Sequence, residues 1–132
     1  MTSSLPHIQE CHRLLGDLLR GSGALFGIVM DRGGDCIASE GLTRGIDLTS
    51  IAALAAGAFA STMEMAKLIG GREFSLLFQQ GTKEHLIVSL LGEAHLLLVA
   101  FDDRTTVGLV QVCAKEIGAQ LAPVLEAERQ QP

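Results

Sequence analysis

The stretch DLTSIAALAAGAFASTMEMAKLI, from Asp47 to Ile69, predicts the long helix around which the rest of the chain is organised. Asp47 suits the N-cap, because its carboxylate can accept hydrogen bonds from the free amides of the first helical turn. Gly70 and Gly71 follow directly, and glycine adopts the left-handed conformation with which many helices end. The faces of this helix should therefore decide which surfaces of the molecule are buried.

Placing successive residues about 100° apart gives the helix two largely apolar faces. The face expected to cover the protein's own core carries Ile51, Leu54, Ala55, Ala58, Thr62, Met65 and Ile69. The opposite face carries Ala53, Ala56, Gly57, Ala60, Met63, Glu64 and Lys67. A helix that is apolar nearly all round is usually buried on both sides, and small residues let another backbone approach closely. We therefore predict that the second face is an interface with a partner or with a second copy of the chain.

The second face also allows two simpler interpretations. The helix could be buried on both sides within one domain, or its alanines could serve helix propensity alone. Glu64 and Lys67 lie three residues apart at the charged end of this face. They could form an exposed ion pair of small energetic value, or they could rim a platform on which a partner docks.

The composition limits the class of protein. A chain of 132 residues predicts a single domain over residues 1–132, long enough to bury a core without a metal or a disulfide. Hydrophobic residues make up 48% and charged residues 19%, which suggests that surface is buried in association. The net charge of -5, with no Trp and no Tyr, argues against nucleic acid or an anionic membrane as the main partner.

The same sequence carries no sign of secretion or of a cofactor. Three cysteines are present without a Cys-x-x-Cys pair, which argues against a zinc site or a redox motif. The first residues lack a basic region followed by an apolar run, and no apolar stretch is expected to reach transmembrane length. We therefore expect a cytoplasmic protein that works without a cofactor.

The rest of the chain predicts two further helices and five strands. The helices cover residues 6–20 and 107–128, and the strands cover residues 24–31, 36–40, 73–80, 84–91 and 94–101. The fifth strand is apolar throughout, so it should be central. The order α-β-β-α-β-β-β-α, with strands linked as hairpins, predicts an α+β fold with a five-stranded antiparallel sheet flanked by helices.

The last helix should start at the hydroxyls of Thr105 and Thr106, and Pro123 should bend it or mark a weak end. It is expected to bury Leu109, Val112, Cys113, Ile117, Leu121, Val124 and Leu125.

The polar residues indicate no catalytic or metal centre. Four arginines could each act as an arginine finger in phosphoryl transfer, although ordinary surface roles are more typical: Arg32, Arg44, Arg72 and Arg104. For Arg104 an ion pair with the neighbouring aspartates at the helix entry is favoured. The adjacent pair Asp102 and Asp103 is a weak metal signal by itself.

The cysteines and histidines also have plain structural interpretations. Cys11, Cys36 and Cys113 are interpreted as small core residues. His85 and His95 lie on strands joined by one hairpin, which predicts a cross-strand surface pair rather than a metal pair.

Several stretches, in their order and spacing, resemble a known family. They are 46–50 (IDLTS) leading into 52–57 (AALAAG), 66–70 (AKLIG), Glu73-Phe74, Phe78-x-x-Gly81 and 99–110 (VAFDDRTTVGLV). Together they resemble the Roadblock/dynein light chain family, and within it the bacterial members that regulate a Ras-like GTPase. The resemblance covers roughly residues 8–127, and none of the stretches is a catalytic signature.

The resemblance implies a homodimer in which the central helices pack together and the third strands pair into one continuous sheet. It implies that the dimer binds a Ras-like small GTPase on its helical platform, contacts the switch regions and accelerates GTP hydrolysis without inserting an arginine. The chain would then be a regulator and not an enzyme. Other Roadblock proteins are adaptor or scaffold subunits, and promotion of nucleotide exchange is a further alternative. A small-molecule sensor would need a polar internal pocket, which these strands do not favour.

Overall fold

The computed structural model describes residues 5–71 and 74–130, and their elements follow the predicted order. The three helices are α1 (Leu5–Ser22), α2 (Leu48–Gly70) and α3 (Val107–Arg129). The five strands are β1 (Phe26–Asp31), β2 (Cys36–Gly41), β3 (Leu76–Gln80), β4 (Glu84–Leu91) and β5 (His95–Asp102). The predicted α+β class with a five-stranded antiparallel sheet is confirmed. The third strand is shorter than predicted, and Glu73, its predicted first residue, lies outside the described residues.

The sheet has the strand order β2-β1-β5-β4-β3, and every neighbouring pair is antiparallel. The apolar strand β5 is the middle strand, as predicted, because it is buried along seven of its eight residues. The outer strands are β2 and β3. The hydrogen-bonding groups on the outer edge of β3 therefore find no neighbouring strand within the described sheet.

The helices α1 and α3 pack side by side on one face of the sheet and share a core with it. Thr106 is the N-cap of α3, where its side chain accepts a hydrogen bond from the Leu109 amide, as predicted. The helix continues through Pro123 to Arg129. Its buried residues are Val110, Ala114, Ile117, Leu121 and Leu125.

The prediction that Leu109 and Val112 are buried is wrong, because both side chains are exposed. The buried residues of α3 recur at spacings of three and four from Val110, which is the period of one helical face. Leu109 and Val112 fall outside that face.

The helix α2 covers the opposite face of the sheet and begins and ends as predicted. The Asp47 carboxylate accepts from the Ser50 amide and from the Ser50 hydroxyl, which lowers the pKa of Asp47. Gly71 takes the left-handed conformation, with φ of 73°, and its amide bonds to the Ala66 and Lys67 carbonyls. Only glycine adopts that conformation without strain.

The core face of α2 differs from the predicted one. Its buried residues are Ala52, Ala55, Ala56, Phe59 and Met63. Of the predicted core residues only Ala55 is buried, while Leu54, Ala58, Met65 and Ile69 are exposed. The predicted face was therefore rotated by about 100°, the angle between neighbouring residues. Phe59 is the only aromatic residue of the helix, and it is the residue that fixes the true orientation.

Candidate protein-interaction site

Among the residues that the structure describes, the three most exposed large apolar side chains, Ile69, Leu68 and Leu54, lie on α2. Leu54 is 74% exposed, Met65 54%, Leu68 86% and Ile69 88%. Leu54, Met65 and Ile69 fall within about 60° of one another on the helix. We call Leu54, Met65 and Ile69, together with Ala58 between them, the apolar face of α2. Exposed apolar side chains gathered on one helix are typical of an interaction surface.

A groove of about 290 Å³ lies beside the apolar face, between α2 and the strands β3 and β4. Its helix side is formed by Ile51, Leu54, Ala55 and Ala58, and its strand side includes Leu77 and Leu86. The groove exists because α2 packs over β1, β2 and β5 rather than over β3. The apolar face of α2, the groove and the open edge of β3 therefore lie side by side on the same side of the molecule.

The predicted interface residues divide into two groups. Ala56 and Met63 are buried against the protein's own sheet, so their assignment to an interface is wrong. The remaining five are exposed, and we call them the small-residue strip of α2: Ala53, Gly57, Ala60, Glu64 and Lys67. The strip lies on the side of the helix away from the groove.

Gly57 carries the clearest sign that the strip has a role outside this chain. A Cβ added at Gly57 would meet no atom within 4 Å, so the protein's own packing does not require glycine there. A glycine in the middle of a helix costs about 1 kcal/mol relative to alanine.

At the start of the strip, the turn between β1 and β2 rests on the helix, where a Cβ at Gly34 would lie 2.8 Å from the Ala53 Cα.

The charged end of the strip contains Glu64 and Lys67, both exposed. Among the salt bridges of the described residues, none joins these two side chains. The ion-pair interpretation is therefore not supported, and both charges are available at the surface.

Two of the four candidate arginines are engaged within the fold. The Arg32 guanidinium lies 5.8 Å from the centre of the Phe59 ring and donates to the Glu93 carbonyl oxygen at 3.3 Å. Arg104 pairs with Asp102 at 2.9 Å, as predicted, and this lowers the pKa of Asp102 and raises that of Arg104. Arg44 is exposed before α2, and Arg72 lies outside the described residues.

The predicted pairing of His85 with His95 is wrong. The register of β4 and β5 places His85 opposite Phe101 and His95 opposite Leu91, at the two ends of the hairpin. The His85 ring accepts from the Gly81 amide through Nδ1 and donates to Asp103 through Nε2 at 2.7 Å. Burial, together with the nearby Arg129, lowers the pKa of His95.

The cysteines are not all core residues. Cys11 is buried, and burial together with Glu10 and Glu128 raises the pKa of its thiol to about 11. Cys36 is exposed, so its interpretation as a core residue is wrong, and Cys113 is partly buried. The described residues contain no cluster of three or more side chains suited to hold a metal ion.

The helix α2 also corrects the expectation about transmembrane length. This helix of 23 residues contains an 18-residue stretch with a mean hydropathy of 1.3, so it is long and apolar enough to cross a membrane by length and composition. Only 22% of that stretch is buried. One such helix is weak evidence of a membrane span, since core helices of water-soluble domains can meet the same criterion.

The comparisons with a family model and with solved structures indicate the same family. The Roadblock/LC7 domain model matches residues 12–101. Among curated protein sequences, none matches this chain at a significant level. Three solved structures of MglB proteins are similar over most of the chain.

MglB of Myxococcus xanthus is 33% identical, with a TM-score of 0.86 over 94% of this chain and 93% of that one. The gliding protein MglB of Thermus thermophilus is 30% identical, with a TM-score of 0.82 over 94% and 92%. A third MglB structure, described as having a tetrameric arrangement, is 30% identical with a TM-score of 0.82 over 88% of each chain. The chain therefore belongs to the Roadblock/LC7 domain family, and it is similar to MglB over nearly its whole length.

Proposed function

We propose that this protein is a homodimeric regulator of a bacterial Ras-like small GTPase of the MglA type, and that it acts as a GTPase-activating protein in the cytoplasm. The observation that carries the proposal is the likeness to MglB over 94% of the chain, at 33% identity. The exposed surface of α2 supports it, because that surface offers one apolar side for a second copy and one small-residue side for the GTPase.

The apolar face of α2 suits a second copy of the chain. Leu54, Met65 and Ile69 are too exposed to contribute to the protein's own core, and the adjoining groove is lined mainly by apolar side chains. In a two-fold dimer the same surface is used by both copies, so each helix can fill the groove of the other. Ala58, at the centre of this face, permits the helices to approach closely. Pairing of the two β3 edges would complete both sheets.

The small-residue strip of α2 suits the GTPase. Ala53, Gly57 and Ala60 give it a smooth surface against which a switch segment can lie closely. Glu64 and Lys67 add one charge of each sign at its end, where they can fix the orientation of the partner. The strip and the apolar face are both accessible because α2 uses only its Phe59 side to cover the sheet.

Such a surface can accelerate GTP hydrolysis without supplying a reacting group. Phosphoryl transfer depends mostly on positioning and on charge stabilisation around the transferred phosphate. A partner that holds a mobile switch segment in the productive geometry lowers the barrier by orienting the GTPase's own catalytic groups. The protein would then act as a regulator rather than as an enzyme.

The test is GTP hydrolysis in a single turnover by the Ras-like GTPase of the same organism, with and without this protein. We expect acceleration of at least about tenfold, which corresponds to a barrier lower by about 1.4 kcal/mol. A stable complex without acceleration would instead support an adaptor or scaffold role. Faster release of a labelled nucleotide would support exchange promotion, and failure to form a complex would refute the GTPase as the partner.

Removing any of the described candidate arginines should leave most of the acceleration intact. An arginine finger contributes about 10³ to 10⁵ in rate. We expect Arg32→Ala, Arg44→Ala and Arg104→Ala each to lower the stimulated rate by less than about tenfold, because positioning does not require a guanidinium in the GTPase site. The stimulated single-turnover rate at saturating protein is the measurement. A loss of about a thousandfold in one variant would identify that residue as a finger.

A further inference from the structure

We propose that His95 makes the end of α3 sensitive to acid. When the buried ring of His95 takes up a proton, the last two turns of α3, residues 122–129, separate from the sheet more readily. These turns lie on the face of the sheet opposite α2, so the proposal does not rest on the function proposed for α2.

The ring of His95 is buried where the sheet meets the end of α3. His95 is the first residue of β5, and it is only 8% exposed. It lines a hollow of about 450 Å³ beside the turn that joins β4 to β5. The residues of α3 that line the same hollow are Ala119, Ala122, Pro123 and Glu126. They fall on one side of the helix, so the end of α3 faces His95.

His95 differs from the other three histidines in having no partner for its ring. Each of the others pairs with a carboxylate at 2.7 to 2.8 Å: His7 with Glu128, His12 with Glu40 and His85 with Asp103. Among the side-chain hydrogen bonds of the described residues, none involves the ring of His95. A protonated imidazole has two N–H donors and a positive charge. The folded chain provides no acceptor for them there, and a buried charge without a hydrogen bond is costly.

The charged groups around the ring act in both directions. Asp31, directly opposite His95 in the pairing of β1 with β5, favours a proton on the ring, and so does Glu126. Glu126 is bridged to Arg129 at 3.0 Å, and Arg129 disfavours the proton. Glu93, in the turn between β4 and β5, lines the same hollow. Burial, with the help of Arg129, outweighs the carboxylates and lowers the pKa of His95.

A lowered pKa couples uptake of the proton to opening of the helix end. When the last turns of α3 lift, the ring of His95 meets water and its pKa returns toward the ordinary value of about 6.5. The closed form therefore binds the proton more weakly than the open form. The stability that His95 gives to the closed form is complete above about pH 6.5, and it is lost as the pH falls through the lower pKa of the closed form.

An NMR titration of the four histidine rings tests the state of His95 in the parent protein. We expect the His95 ring to titrate below about pH 6.5. Arg129→Gln should raise the midpoint, because it removes the cation near the ring. Asp31→Asn should lower it, because it removes the opposite carboxylate but keeps an oxygen that can accept from the Asp35 amide. A midpoint at or above about pH 6.5 in the parent, or no response to either variant, would overturn the proposal.

Amide hydrogen exchange, corrected for its intrinsic dependence on pH, tests the opening itself. Between about pH 7.5 and about pH 5.5 we expect the opening constant of the amides in residues 122–129 to rise at least about threefold in the parent. The amides in the middle of α2 serve as the internal reference. His95→Gln replaces the ring with a polar side chain that cannot be charged, so it should abolish the rise.

His7→Gln is the matched control, because His7 also holds the end of α3 through Glu128. A proton on His7 would strengthen that pair, so this variant should keep the rise. An equal rise in His95→Gln, or no rise in the parent, would overturn the proposal. The ring titration uses the parent protein, so it decides the proposal even if His95→Gln does not fold.

Discussion

Leu54→Arg is expected to convert the protein from a dimer into a monomer. Leu54 is 74% exposed in the single chain, so an arginine there should not disturb the protein's own core. In a two-fold dimer the substitution occurs twice, and each copy loses about 2 kcal/mol of leucine burial. The total of about 4 kcal/mol raises the dissociation constant of the dimer about a thousandfold. Light scattering or sedimentation should then give the 14.0 kDa of one chain rather than twice that mass.

The matched control is Gln120→Arg, which places the same side chain on α3, on the other side of the sheet. Gln120 is exposed there, and we expect that variant to remain a dimer. Near-identical circular dichroism for both variants would show that each is folded. A Leu54→Arg protein that stays dimeric at micromolar concentration would refute the assignment of the apolar face of α2 to self-association.

The fold was predictable because local signals set the ends of its elements. Asp47 can accept hydrogen bonds from the free amides of a first helical turn and Gly71 can adopt the left-handed conformation that ends a helix, and both occupy the predicted ends of α2. Thr106 likewise occupies the predicted start of α3, where it is the N-cap. Neighbouring residues of a strand point to opposite faces of the sheet, and accordingly Ile87 and Val88 of β4 pack in different cores. Because consecutive strands are joined as hairpins, the order of the elements then predicts an antiparallel sheet.

The orientation of α2 about its own axis was harder to predict, for a physical reason. A helix with apolar residues on every side carries little amphipathic signal, so several rotations bury similar areas. Volume decides among them, because the side chain that fills the space between helix and sheet must be large. Phe59 meets that requirement, and it packs against Phe74 with ring centroids 5.1 Å apart. Once Phe59 is placed against the sheet, the apolar face of α2 with Leu54 must be exposed. The composition of that face alone does not reveal its exposure.

The position of the two histidines follows from the register of the hairpin. In an antiparallel hairpin that turns over residues 92–94, the residue after the turn faces the residue before it, so Leu91 faces His95 and His85 faces Phe101 at the far end. The predicted bounds of the two strands therefore already separated the histidines, and the predicted cross-strand pair was inconsistent with them. In a hairpin, the turn and its length fix every cross-strand pair.

Ala60→Arg is expected to abolish GTPase binding and stimulation while leaving the dimer intact. Ala60 is exposed on the small-residue strip, about 120° around the helix from Leu54. A long charged side chain there prevents a switch segment from lying against the helix, whereas the apolar face that we propose to join the two copies is unchanged. We expect the single-turnover rate to fall to that of the GTPase alone, with no change in the mass of the dimer.

Comparing this variant with Leu54→Arg separates the two roles of α2. If the GTPase requires only the strip of one chain, the monomeric Leu54→Arg protein should keep some binding, whereas Ala60→Arg should keep none. If the GTPase contacts both helices of the dimer, both variants should lose binding, but only Leu54→Arg should lose the dimer. Normal stimulation by a dimeric Ala60→Arg protein would remove the strip from the GTPase site. The contact would then have to be sought outside the strip, since the addition of an arginine at its centre cannot leave a close protein interface undisturbed.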